Sequence, residues 1–136
     1  MRIKYDQTLL KLMYFFESAT HSKLKDCFVD SNGVLTFVVE SNIAGAIGKS
    51  GVNAKKVESA LKRRIRIVAF SPVLEEFIVN LLRPFKVRDI SVQDGTVIIT
   101  PESESRGYII GRAASSLRNY EGIVKRYFDV KEIRVV

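Results

Sequence analysis

The chain has 136 residues, of which 46% are hydrophobic, and it carries a formal net charge of +7. This length suits one ordinary domain or two small ones, and no apolar run is long enough to cross a membrane. The single cysteine, Cys27, excludes an internal disulfide bond, and the single histidine, His21, argues against a histidine-based metal site or catalytic triad. We therefore expect a cytoplasmic protein without a metal or other cofactor, in which Cys27 is buried.

The first predicted elements are a helix and a β-hairpin. In Gln7–Ala19 the apolar residues recur at helical spacing, and we expect the aromatic residues Tyr14–Phe16 to pack in the core. Two β-branched and aromatic runs follow, Cys27–Val29 and Val34–Val39. They are joined across Asn32-Gly33, a dipeptide that favours a tight hairpin turn.

A glycine-rich loop follows the hairpin, because Ile43–Gly51 reads Ile-Ala-Gly-Ala-Ile-Gly-Lys-Ser-Gly. The nucleotide-binding P-loop shares the Gly-Lys-Ser tail but needs another glycine five residues before Gly48, where this chain has Ile43. Nucleotide hydrolysis is therefore disfavoured. We expect instead a short helix that ends at Gly48, a bend at Lys49-Ser50, and a second helix that starts near Gly51. Open backbone N–H groups and the dipole of that second helix would form an anion site.

The helix after this loop and a strand at Ile65–Phe70 complete the first half of the chain. Residues 41–70 contain seven basic residues and a single acidic one. This excess favours a polyanionic partner such as nucleic acid. Alternation along the strand predicts that Arg64 and Arg66 point to one face, so part of this charge is expected to be structural.

A second set of the same elements begins at Ser71. Ser71 is expected to cap a helix with Pro72 at its first position, and Pro84 is expected to end that helix. The two strands that follow and the turn between them are Val87–Val92, Thr96–Thr100 and Asp94-Gly95. The last predicted strand is Glu132–Val136.

The second glycine motif matches the first when the chain is displaced by 63 residues, so that Ile47–Arg63 aligns with Ile110–Arg126. Glycine, basic and acidic residues recur in register, which is hard to obtain by chance over seventeen positions. The matched pairs are Gly48 with Gly111, Lys49 with Arg112, Lys55 with Arg118, Glu58 with Glu121, and Lys62-Arg63 with Lys125-Arg126.

The sequence Ile-Gly-Lys-Ser-Gly after a strand and a short helix resembles the I-G-x-x-G loop of KH domains, which holds about four nucleotides of RNA. The extra helix and strand before the core resemble the type II form. The resemblance implies an α+β fold of two tandem type II KH domains, residues 1–70 and 71–136. Each would be a three-stranded mixed sheet packed on three helices, and the two would be closely joined.

The segments "AGAIGKSGVNAKKVE", "RIRIVAFSPVLEEFIVNLLRPFKV" and "YIIGRAASSLR" resemble archaeal NusA-like transcription factors, along essentially the whole chain. This resemblance implies a non-catalytic factor for transcription elongation, termination or antitermination that binds nascent single-stranded RNA, with RNA polymerase as a further partner. It assigns the RNA clamps to Ile47, Gly48, Lys49, Ser50 and Gly51, and to Ile110, Gly111, Arg112, Ala113 and Ala114. The adjoining residues Asn53, Lys55, Lys56, Ser115 and Arg118 are expected to extend them.

Ala114 stands where the motif has its closing glycine. If that position needs a left-handed backbone, alanine costs roughly 1 kcal/mol or more. If it belongs to the first turn of a helix, alanine fits well. In both cases the methyl group of Ala114 leaves less room for an RNA strand beside the loop, so we expect the second loop to bind RNA more weakly.

Two other functions stay open at this point. The first is a protein-interaction adaptor whose KH units are scaffolds that dock on RNA polymerase or the ribosome. The second is a general RNA-binding or ribosome-assembly factor.

Overall fold

A computed structural model describes residues 5–136, and the contacts within it divide the chain into two compact units. The first unit ends at Phe70 and the second begins at Ser71. Within the described residues, each unit combines a three-stranded mixed sheet with helices, in the order helix, strand, strand, helix, helix, strand. The protein is therefore α+β. Among the helices of residues 5–136, none has the length and apolar character that crossing a membrane requires.

The elements of the first unit are α1 (Gln7–Thr20), β1 (Lys23–Val29), β2 (Leu35–Ser41), α2 (Ile43–Ile47), α3 (Val52–Leu61) and β3 (Ile65–Ala69). Strand β2 is central, antiparallel to β1 and parallel to β3. Parallel neighbours need a crossover connection, and α2 and α3 form it. The glycine-rich bend therefore lies in the middle of the connection between β2 and β3.

The core of the first unit holds the helices on both sides of that bend. Phe16 of α1 stacks on Phe37 of β2 with ring centroids 4.2 Å apart, and both side chains are fully buried. Ala46 of α2 and Val57 of α3 join the same core cluster. Burial of one such aromatic side chain contributes about 1.5–3 kcal/mol. Cys27 is fully buried, as predicted.

Helix α1 forms where the sequence predicts it and extends one residue further, to Thr20. The Asp6 carboxylate caps it by accepting a hydrogen bond of 2.8 Å from the backbone N–H of Leu9. Phe16 is buried, but Tyr14 is 75% exposed and Phe15 is 37% exposed, so the prediction that these two side chains pack in the core is wrong. The reason is helical geometry, because residues two positions apart do not share a face.

The elements of the second unit are α4 (Leu74–Leu82), β4 (Val87–Gln93), β5 (Thr96–Pro101), α5 (Ser103–Ile110), α6 (Ser115–Lys125) and β6 (Glu132–Val135). Strand β5 is central, antiparallel to β4 and parallel to β6. Helices α5 and α6 form the crossover between β5 and β6. The second glycine motif thus occupies the same place in its unit as the first.

The start of α4 differs from the prediction. The helix begins at Leu74, two residues after Pro72. The hydroxyl of Ser71 accepts a hydrogen bond of 3.1 Å from the backbone N–H of Val73 and does not cap the helix. A serine that bonds the backbone two residues ahead competes with helix formation, which delays the first turn.

The two hairpins use different turns. Asp94-Gly95 forms a two-residue turn with φ of 52° and 81°, the left-handed pair expected for a type I′ hairpin. In the first unit, Asn32-Gly33 lies in the turn as predicted, and the N–H of Gly33, which has φ 79°, donates to the carbonyl oxygen of Asp30 at 3.0 Å. The connection is longer than in the second unit, because residues 30–34 separate the strands. The buried carboxylate of Asp30 accepts hydrogen bonds of 2.9 Å from the N–H groups of Asn32 and Val34 and organises this longer turn.

Candidate nucleic-acid interface

Each unit has a four-residue bend between two helices. The first loop, Gly48–Gly51, joins α2 to α3, and the second loop, Gly111–Ala114, joins α5 to α6. The first residue has φ 78° and ψ 169° in the first loop and φ 74° and ψ 176° in the second. The third residue, Ser50 or Ala113, has φ of 54° or 52°. The two loops therefore follow the same backbone path.

Glycine is required at the first position of both loops. The backbone angles of Gly48 and Gly111 fall in a region that is essentially restricted to glycine. A Cβ atom added to Gly48 would lie 2.9 Å from the backbone nitrogen of Asn53, and one added to Gly111 would lie 2.9 Å from that of Ser116. These contacts explain why glycine recurs in register at this position.

The fourth position is left-handed in both loops. Gly51 has φ 74° and ψ 17°, and Ala114 has φ 61° and ψ 20°. Of the two conformations that the sequence left open for Ala114, the structure has the left-handed one, which costs roughly 1 kcal/mol or more for alanine. A Cβ atom added to Gly51 has no heavy atom within 4 Å, so this cost comes from the backbone and not from a clash.

Two of the four amides around the first bend are used within the bend, and two are open. The N–H groups of Gly51 and Val52 donate within the bend, to the carbonyl oxygens of Gly48 (3.1 Å) and Lys49. Within residues 5–136, no acceptor is found for the N–H groups of Lys49 and Ser50. The bend itself therefore contains backbone amides that are open to an anion.

The second loop repeats this hydrogen-bond pattern. The N–H groups of Ala114 and Ser115 donate to the carbonyl oxygens of Gly111 (3.3 Å) and Arg112. Those of Arg112 and Ala113 have no acceptor in the described part of the chain.

Two asparagines hold the short helix α2 against its neighbours. The Asn53 side chain donates a hydrogen bond of 2.7 Å to the carbonyl oxygen of Gly45. Asn42 accepts from the N–H of Gly45 at 3.2 Å and donates to the carbonyl oxygen of His21 at 3.0 Å. Asn53 is half-buried, so it supports the loop from behind, and its predicted contact with RNA stays a prediction.

The basic residues of the first loop face solvent. Lys49, Lys55 and Lys56 are exposed, and no ion pair is found for them among residues 5–136. Ser50 is exposed as well, and Ile47 leaves 40% of its surface in solvent. The first loop thus places open amides, unpaired cationic groups and an apolar side chain close together in the chain.

The second loop offers fewer unpaired charges. Arg112 and Ser115 are exposed, but Arg118 pairs with Glu121 at 2.7 Å, and Lys125 lies 3.8 Å from the same carboxylate. Ile110 is half-buried. Glu121 also accepts a hydrogen bond of 2.8 Å from the N–H of Ile133, which ties α6 to β6.

Arg66 has a structural role, as the alternation along β3 predicted. Its guanidinium pairs with the fully buried carboxylate of Asp30, in the turn between β1 and β2. Arg64, two residues before it, is exposed.

An aromatic pair near the second loop was not predicted. Phe85 and Tyr108 stack with ring centroids 5.3 Å apart and an interplanar angle of 3°. They lie 23 positions apart in the chain and in different predicted elements, so no local pattern could have identified the contact.

No family model matches the chain. It is 27% identical over 138 residues to the "Probable transcription termination protein NusA" of Halococcus morrhuae, and this match covers 99% of both chains. It is 29% identical over 140 residues to the protein of the same name from Methanococcus vannielii, covering 100% of this chain and 81% of that one.

The crystal structure of APE1850 matches 97% of this chain and 100% of its own, with a TM-score of 0.76 and 25% sequence identity. The chain is thus related over its whole length to archaeal NusA-like proteins, and its mixed sheets and helices fit a KH-like fold.

Proposed function

We propose that this protein is a non-catalytic NusA-like transcription factor that binds nascent single-stranded RNA through two type II KH domains, residues 1–70 and 71–136. The backbone of RNA would lie on the first and second loops, and bases would contact the apolar surface beside Ile47 and Ile110. RNA polymerase is the proposed protein partner.

The observation that carries this proposal is the glycine-dependent bend that occurs in both units. Gly48 and Gly111 leave no room for a side chain, and each is followed by two exposed residues whose N–H groups have no acceptor in the described chain. Backbone amides in such a concave bend bind anionic oxygens. A protein that only needed to turn between two helices would not have to leave these donors open.

The surrounding charge supports a polymeric anion. Lys49, Lys55 and Lys56 extend from the first loop along α3 without partners among residues 5–136. A single phosphate needs one such group, whereas a sugar-phosphate chain can contact several in succession.

Substitution of both Lys49 and Ser50 by aspartate should abolish binding of a single-stranded RNA oligonucleotide, because two negative charges would stand beside the open amides. Folding should be preserved, since both residues are exposed and aspartate tolerates the left-handed conformation of Ser50. Fluorescence anisotropy with a labelled oligonucleotide measures the affinity, and a thermal melt followed by circular dichroism checks the fold.

The double variant Lys11→Asp and Ser18→Asp is the matched control. It makes the same two residue changes at exposed positions of α1 and should leave RNA affinity within about twofold of wild type. Equal losses in both variants would mean that only net charge matters. A salt titration adds an independent measure, because each phosphate contact to a single strand contributes about −0.7 to the log–log slope.

One feature favours the adaptor function as a second candidate. Leu10 and Tyr14 lie one turn apart on α1 and are 51% and 75% exposed, which suits a contact with another protein. Capture of RNA polymerase that survives ribonuclease treatment, and that is lost in Tyr14→Ser, would support the adaptor. Capture that ribonuclease abolishes would support RNA binding.

A further inference from the structure

The second unit presents an aromatic ring that is both exposed and held in place. Tyr108 of α5 stacks on Phe85, which lies between α4 and β4, with the rings almost parallel at 3°. Tyr108 is nevertheless 68% exposed. Because Phe85 covers part of the ring and solvent covers the rest, a planar ligand can stack on Tyr108 without displacing Phe85.

Hydrogen bonds fix the segment that carries Phe85. Its own N–H donates to the carbonyl oxygen of Leu82 at 2.8 Å. The N–H of Lys86 donates to the buried hydroxyl of Ser105 at 3.0 Å, and the carbonyl oxygen of Lys86 accepts from Glu102 at 3.0 Å. The ring that supports Tyr108 is therefore pre-organised against the first turn of α5, which lowers the entropic cost of binding.

Tyr108 lies in the last turn of α5, just before the second loop. It precedes Gly111 by three residues, and the N–H of Gly111 continues the helical pattern by donating to the carbonyl oxygen of Gly107 at 2.9 Å. Three residues correspond to about 4.5 Å along the helix axis. The position of Tyr108 in the chain therefore allows it to contact the same RNA strand as the second loop.

The charges around the ring suit a nucleotide. Arg83 and Lys86 flank Phe85 in the chain, Arg112 lies in the second loop, and all three are exposed. Glu104 is exposed one turn before Tyr108, on the side away from the loop. Arg112 therefore favours a phosphate at the second loop, and Glu104 disfavours one at the start of α5.

The first unit has no counterpart of this ring. The position that corresponds to Tyr108 is Gly45, where an added Cβ atom would lie 2.8 Å from Cγ of Asn42. The unit with the complete glycine loop thus lacks the aromatic ring, and the unit with Ala114 has it. This difference points to separate modes of contact in the two units.

We propose that Tyr108, supported by Phe85, is a stacking platform for one base of single-stranded RNA whose phosphate contacts the second loop. The proposal rests on the RNA-binding function proposed above and adds a base contact to it. Stacking on an aromatic ring tolerates every base, so the platform would contribute affinity with little sequence preference.

Replacement of Tyr108 by alanine should lower the affinity for a single-stranded RNA oligonucleotide by about 5- to 150-fold, the range for loss of one base–aromatic stack. Tyr108→Phe keeps the ring and should bind within about twofold of wild type. Tyr14→Ala removes a comparably exposed tyrosine from α1, whose candidate partner is a protein, and should leave the affinity for the RNA oligonucleotide unchanged. Tyr108→Phe and Tyr14→Ala should melt like wild type, whereas Tyr108→Ala loses the stack on Phe85 and should melt a few degrees lower while staying folded at the assay temperature.

A direct readout is available because the chain contains no tryptophan. Tyr108→Trp introduces a single indole whose fluorescence a stacked base should quench, whereas Tyr14→Trp should show no quenching. Unchanged affinity in Tyr108→Ala, or no quenching in Tyr108→Trp, overturns the platform. If the Lys49 and Ser50 double variant still loses binding, the RNA-binding function stands without it. Absence of binding by the wild-type protein overturns both proposals.

Discussion

Gly51→Ala and Ala114→Gly should change stability in opposite directions, because both positions are left-handed. The left-handed conformation costs an L-residue roughly 1–2 kcal/mol. Alanine regains about 0.4–1 kcal/mol through the lower entropy of its unfolded chain. The middle of these two ranges gives a net effect of about 0.8 kcal/mol, lost in Gly51→Ala and gained in Ala114→Gly. For units of this size it shifts Tm by about 2–8 °C.

Gly122→Ala is the matched control for this exchange. Gly122 lies inside α6, and a Cβ atom added to it has no heavy atom within 4 Å, as at Gly51. In a helix, alanine is more stable than glycine by about 0.5–1 kcal/mol, so this variant should gain stability. Urea titrations followed by circular dichroism compare the three variants. Equal stabilisation by Gly51→Ala and Gly122→Ala, or destabilisation by Ala114→Gly, would refute the reasoning.

Two further substitutions test the supports of the first unit. Asp30→Asn should cost about 3 kcal/mol, the low end for breaking a buried ion pair, because Arg66 keeps 24% of its side chain in solvent. If urea titration shows that the free energy of unfolding falls by less than about 0.5 kcal/mol, the range of ordinary surface substitutions, this expectation is contradicted. Asn53→Ala should cost about 1 kcal/mol through the lost hydrogen bond to Gly45. If it lowers RNA affinity at unchanged stability, Asn53 contacts RNA directly.

Several local features could be predicted because they depend on neighbours in the chain. Apolar spacing located α1, and the Asp-Gly dipeptide located the second hairpin turn with its two left-handed residues. The repeat of glycine at positions 48 and 111 predicted a shared bend, and the structure shows matching backbone angles there. Local rules failed before α4, where the Ser71 side chain bonds the backbone and delays the helix, and they missed the length of the first hairpin turn, which the Asp30 side chain organises.

The conformation of Ala114 illustrates the limit of local reasoning. Alanine is compatible with a helix start and, at a cost, with a left-handed bend, so the residue type does not distinguish the two. Helices α5 and α6 pack in the second unit so that the chain between them must turn as it does in the first. The backbone of Ala114 follows that requirement, and its preference is overridden.

The amino-acid sequence alone thus predicted two repeated α+β units, their glycine bends and the basic residues beside those bends. This was possible because periodicity and turn chemistry depend on residues a few positions apart. Only the tertiary structure decided which carboxylate pairs with Arg66, which backbone amides of the bends stay open, and which ring stacks on Tyr108. Each of these depends on groups that packing brings together or on the hydrogen bonds that a folded bend has already used. Residues 36 or 23 positions apart meet only when the core forms.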